Sequence, residues 1–165
     1  MEKISNFTAQ YIEQYSPLYE SILQQGMKWV TINPDPKYLE HYSSNKILDQ
    51  WLAKFKQLRY LAHEFILIVE ISRALKLHFH LVYSVKDKVK EYKMINTWKL
   101  EANVLYCFGE PKHQIGYLFK DIDFTEQYLS SSPKTQLIYT KESLYNELKR
   151  INKMGDITTR FNYIN

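Results

Sequence analysis

Phe65-Ile66-Leu67-Ile68-Val69-Glu70-Ile71, followed after Ser72 to Lys76 by Leu77-His78-Phe79-His80-Leu81-Val82-Tyr83-Ser84-Val85, is the stretch on which the fold turns. Both runs are short, apolar and rich in β-branched and aromatic residues, which predicts two strands joined by a turn. Side chains alternate between the faces of a strand, so His78 and His80 project together while Phe79 packs on the other side. If the hairpin pairs Glu70 with His78, then Ile68 faces His80 and the three polar groups share one face. A carboxylate in so apolar a run is costly to bury without a partner, and a cation held with two imidazoles supplies one. A salt bridge from Glu70 to Arg73 or Lys76 is the alternative. As a ligand set with open positions, Glu70, His78 and His80 suit a catalytic divalent ion, Mn²⁺ or Mg²⁺, better than a closed structural site; zinc also accepts these ligand types.

Upstream of the hairpin, Met27 to Ile32 alternates and is rich in strand formers (Trp29, Val30, Thr31, Ile32), ending at the breaker Asn33-Pro34-Asp35-Pro36. Before it, Ser16-Pro17 reads as a helix cap with a first-turn proline, and Gly26 as the stop, so residues 1–26 form a helical lead-in to a domain covering 27–165. Tyr38 to Tyr60 carries Ile47, Leu48, Trp51, Leu52, Phe55 and Leu58 at helical spacing and predicts one long helix.

Downstream, Lys86 to Trp98 predicts a strongly basic helix, and Val104 to Phe108 a short strand closed by Gly109. Pro111 opens a helix that runs through Tyr117 and Lys120. Gln136–Thr140 is a further strand candidate, Glu142 to Met154 an amphipathic helix ended by Gly155, and Ile157 to Ile164 a tail with some alternation. Strands joined partly by hairpins favour an α+β fold, a central antiparallel sheet with flanking helices of RRM-like topology, over a doubly wound parallel sheet.

Composition narrows the function classes. A chain of 165 residues with 45% hydrophobic and 24% charged residues fits one globular domain with a proper core. Cys107 is the sole cysteine, which excludes an internal disulfide and a Cys-rich zinc site. Met1-Glu2-Lys3 leads into no apolar signal core, and the most apolar run, Phe65 to Ile71, is too short to cross a bilayer. The net charge of +4 permits binding to phosphates without requiring it. Lys86, Lys88, Lys90 and Lys93 interleave with Tyr92, a pattern that suits a single strand through phosphate neutralisation and base stacking; a solvated helix face is the plainer reading.

Tyr117-Leu118-Phe119-Lys120 places a phenol and an ammonium three residues apart, on one face of a helix, where both can reach the same phosphate. A phenol is a weak nucleophile at neutral pH, and a cation on the phosphate together with a neighbouring ammonium lowers the barrier to its attack. With 14 tyrosines in the chain, this motif alone would arise readily by chance.

Taken in order, Trp29-Val30-Thr31-Ile32-Asn33-Pro34, then Glu70 with His78-Phe79-His80, then Tyr117 to Lys120 after a strand, the chain resembles the HUH endonuclease domain of rolling-circle replication initiators (Rep proteins) of small circular single-stranded DNA viruses and related plasmids. The resemblance implies that Glu70, His78 and His80 hold the metal and that Tyr117 attacks a phosphodiester of single-stranded origin DNA, such as one presented at a hairpin. It implies a 5′-phosphotyrosine and a released 3′-hydroxyl, with Lys120 positioning the phosphate and Asn33 structural or in contact with DNA. It further implies an intracellular location: the host nucleus for a eukaryotic virus, the cytoplasm for a plasmid or prokaryotic virus. The chain departs from that pattern in its long lead-in and in the long helix before Glu70. Its four glycines form no phosphate-binding loop, so a helicase would act from elsewhere, in cis or in trans. Two alternatives stay open: a non-catalytic RRM-like nucleic-acid-binding module, and a single-tyrosine HUH transposase.

Overall fold

Alternation across 65–85 is realised as a hairpin, and three further strands complete an antiparallel sheet around it. The structure is a computed structural model that describes residues 6–35, 44–72, 74–107, 115–128 and 136–152. In chain order the elements are α1 (Asn6–Gln24), β1 (Met27–Pro34), α2 (Ser44–Lys54), a 3-10 turn (Phe55–Gln57), α3 (Leu58–Leu61), β2 (Ala62–Ile71), β3 (Leu77–Val85), α4 (Lys88–Trp98), β4 (Ala102–Tyr106), α5 (Ile115–Leu118), α6 (Ile122–Tyr128), β5 (Ile138–Thr140) and α7 (Lys141–Asn152). The strand order is β4-β1-β3-β2-β5, and every neighbouring pair is antiparallel. This is the α+β architecture expected from the sequence.

The hairpin register is set by its turn. Ser72 N donates to the Lys76 carbonyl at 2.9 Å and Leu75 N to the Ser72 carbonyl at 2.8 Å, with Leu75 at φ 61°. Glu70 is thereby opposite His78, and Ile68 opposite His80. A slip of one residue would exchange the two faces of the strand, so this turn decides which side the imidazoles take.

Two helical layers cover the sheet. On the face carrying Phe79, α2, the 3-10 turn and α4 pack through Trp51, Phe55 and Trp98; the Phe55 ring lies 5.0 Å from both Phe79 and Trp98. The opposite face, which carries Glu70, His78 and His80, is covered by α1 and by the segment around α5 and α6. There Tyr11 and Tyr15 of α1 pack on Phe119, and Ser21 and Gln25 bond to Glu64 at 3.3 and 3.2 Å. Tyr19 and Ile22 of α1 are buried in the same core as the sheet.

Several boundaries differ from the sequence reading. α1 does not open at Ser16-Pro17; it begins at Asn6 and runs through Pro17. The proline removes one helical N–H, and burial of Tyr19 and Ile22 beyond it holds the helix together. Gly26 ends this segment as expected, at φ 92°. The long helix read from Tyr38 is interrupted at the 3-10 turn after Lys54, and positions 36–43 lie outside the described residues. β4 begins and ends two residues before the expected Val104–Phe108, since Asn103 and Val104 pair with Asn33 and Ile32 of β1. The helix expected to carry both Tyr117 and Lys120 ends at Leu118, and Lys120 belongs to the turn into α6. The caps or stops expected at Gly109, Pro111 and Gly155, and the tail from Ile157, lie outside the described residues.

Candidate metal centre and nucleophile

Glu70 is on β2 and both histidines are on β3, so the centre is built from one hairpin. Glu70 Oε1 lies 2.8 Å from His78 Nε2, and Glu70 Oε2 lies 3.1 Å from His80 Nε2. One ligand atom from each residue falls within 4.8 Å of the others, a geometry that can hold one metal ion. Glu70 is only 2% exposed and His80 3%. Of the alternative partners for Glu70, Lys76 enters the site through its backbone carbonyl while the carboxylate faces the two imidazoles, and Arg73 lies outside the described residues.

The electrostatics follow from this enclosure. Burial opposes ionisation of Glu70, but the hydrogen bond from His78 and the nearness of His80 outweigh it, and the carboxyl lies far below its usual range. Burial likewise opposes a charge on His78, and contact with Glu70 outweighs it and raises the pKa. The second half of the centre is less satisfied. Glu70 Oε2 and His80 Nε2 are buried at ion-pair distance, yet neither has a hydrogen-bond partner of acceptable alignment. Two unpartnered buried polar atoms converging on one point are expensive, and a shared cation would satisfy both. On this observation the residues fit a divalent ion.

Tyr117 stands over this centre. Its ring lies 6.1 Å from the His80 ring and 6.0 Å from that of Trp29, and the residue is 48% exposed. The Lys120 ammonium sits 4.0 Å from the Tyr117 ring centroid. Burial works against the Lys120 charge, but contact with Tyr117, with the charges of Asp121 and Glu70, outweighs it and raises the pKa. The pair predicted from Tyr-x-x-Lys therefore meets, through a turn in which Lys120 N donates to the Tyr117 carbonyl at 3.3 Å rather than along one helix.

Of the residues assigned to DNA, Asn33 is on the ligand-bearing face of β1, two residues beyond Thr31 and opposite Asn103 of β4. Lys86, Lys88, Lys90 and Lys93 are exposed, but α4 packs on the other face of the sheet, where its Glu91 bonds Lys28 at 2.8 Å and Trp98 meets Phe55. The structure does not bring these four lysines to the metal centre. Two residues without a role in the sequence reading do belong there. Trp29 packs against both His80 and Tyr117, and Thr31 Oγ1 lies 3.1 Å from His80 Nδ1. Both stand in the first motif at alternate positions of β1, which was their available signal.

No family profile, curated protein or solved structure matches this chain. Among the described residues, no helix is long and apolar enough to cross a membrane.

Proposed function

We propose that this chain is a metal-dependent nuclease that nicks and rejoins single-stranded DNA, with Tyr117 as nucleophile, acting at a replication origin in the manner of the HUH initiators. The observation that carries the reading is the convergence of Glu70, His78 and His80 beside an exposed Tyr117 with Lys120 against its ring. The order of the three sequence motifs supports the same assignment.

Glu70, His78 and His80 would hold a divalent ion such as Mn²⁺ or Mg²⁺. When bound, such an ion polarises the scissile phosphate and offsets the charge that develops there. The Tyr117 oxygen forms a bond to phosphorus as the bond to the 3′ oxygen breaks, and the phenolic proton ends on the departing 3′ oxygen. Lys120 adds a positive charge beside the attacking group. The exchange of one phosphodiester for another conserves the linkage, so the reverse attack by a 3′-hydroxyl rejoins the strand. Asn33, on the same face of the sheet, would contact the DNA.

The test is incubation with a library of single-stranded origin fragments and Mn²⁺, followed by denaturing electrophoresis. A covalent protein–DNA adduct is expected, absent from Tyr117→Phe although that variant still binds DNA. Adduct formation mapped to another tyrosine would overturn the nucleophile assignment. DNA binding without any adduct would favour the non-catalytic module instead.

A further inference from the structure

We infer that Thr31 is a positioning residue of the metal centre, holding His80 in the tautomer that leaves Nε2 able to take an ion. This rests on the reading of Glu70, His78 and His80 as ligands. A neutral imidazole carries its proton on one nitrogen, and only the other can ligate, so a buried histidine needs its tautomer fixed by a neighbour. His80 is enclosed, so its ring nitrogens face protein neighbours rather than bulk water. Its Nε2 faces Glu70 Oε2, and its Nδ1 faces the Thr31 hydroxyl at 3.1 Å.

A hydroxyl can donate or accept, so Thr31 alone would leave the tautomer open. A second partner stands close enough to take its hydrogen. Cys107 Sγ lies 3.5 Å from Thr31 Oγ1, and the Cys107 backbone is anchored by a 2.9 Å bond from its N–H to the Trp29 carbonyl. With the Thr31 hydrogen directed to that sulfur, an oxygen lone pair faces His80 Nδ1, which must then carry the proton. The lone pair of Nε2 is left pointing at the carboxylate, a repulsive arrangement until a cation lies between them. His78 likewise has an oxygen behind Nδ1, the Lys76 carbonyl at 3.4 Å, which can only accept. Both imidazoles are thus backed by oxygen at Nδ1 and present Nε2 to Glu70. The sheet fixes the arrangement, because Thr31 and His80 are directly paired across β1 and β3.

Thr31→Val keeps the shape and removes the hydroxyl; Thr31→Ser keeps the hydroxyl. Calorimetric titration of the full chain with Mn²⁺ should show T31V binding about ten- to a hundredfold more weakly than wild type, and T31S close to wild type. Nitrogen-15 spectra of the wild type loaded with Zn²⁺, a diamagnetic probe ion, should show His80 protonated on Nδ1, a measurement that needs no variant. A His80 protonated on Nε2, a T31V variant that binds as tightly as wild type, or a T31S variant as weak as T31V overturns this inference alone. Wild-type protein that takes up no Mn²⁺ overturns both the inference and the metal reading beneath it.

Discussion

Thr125 offers a test of how the segment that follows Tyr117 and Lys120 is clamped to the hairpin that carries Glu70, His78 and His80. Its side chain is fully buried, and its hydroxyl accepts a 2.9 Å bond from Ile71 N, the residue after Glu70, while donating to the Asp121 carbonyl at 2.8 Å. Thr125→Val preserves volume and removes both bonds. The Asp121 carbonyl keeps the 3.0 Å bond it accepts from Thr125 N, and the Ile71 carbonyl loses only a long 3.5 Å contact from the same hydroxyl, so the Ile71 N–H is the main group left buried and unpaired. One such group costs about 1–3 kcal/mol. For a chain of this size, that corresponds to a fall in melting temperature of about 2–12 °C. Thermal melts of the metal-free protein measure it, and amide exchange at Ile71 should accelerate in T125V but not in Thr125→Ser, which keeps the hydroxyl. Unchanged Ile71 exchange in T125V, with a stability loss below about 0.5 kcal/mol, would refute the clamp.

Metal affinity should depend on pH in a definite direction. The raised pKa of His78 means that its proton is held at and above its ordinary value of 6.5, and an ion must displace that proton. Mn²⁺ affinity should therefore weaken as pH falls through the raised value and strengthen as it rises; a titration series that is flat from pH 6 to 8 would contradict this. Without metal the sign reverses: the Glu70–His78 attraction is fully present below the unfolded-state pKa of His78 and is lost as pH rises through the folded one. Asp87→Ala removes the cap that accepts from Val89 N at 3.1 Å and Lys90 N at 3.0 Å at the start of α4. It should cost about 1 kcal/mol in denaturant unfolding, with the proposed nicking unchanged because α4 lies on the far face of the sheet.

The hairpin was legible because strand alternation has a short period and the turn between the two runs is tight. Those two facts together fix Glu70 opposite His78. The Tyr117–Lys120 pairing was legible for the wrong local reason: the residues meet through a turn, where sequence spacing had suggested a helix. What periodicity cannot convey is the layer a helix occupies. The basic stretch from Lys86 to Lys93 was rightly read as largely helical, yet its side of the sheet is set by burial of Met94, Ile95 and Trp98, with Trp98 against the Phe55 that packs on Phe79, a non-local choice. Thr31 was hidden for the same reason, since its contact with His80 arises from β1 pairing with a strand far along the chain. Pro17 shows a local preference overridden: burial of Tyr19 and Ile22 beyond it carries the helix through.

Isothermal titration of Mn²⁺ into the full chain and into a His78→Ala, His80→Ala double variant addresses the metal centre without any need to know the DNA sequence. One ion per wild-type chain is expected, and none bound by the double variant. Equal binding by the two proteins, or no binding by either, would contradict the assignment of Glu70, His78 and His80 as ligands.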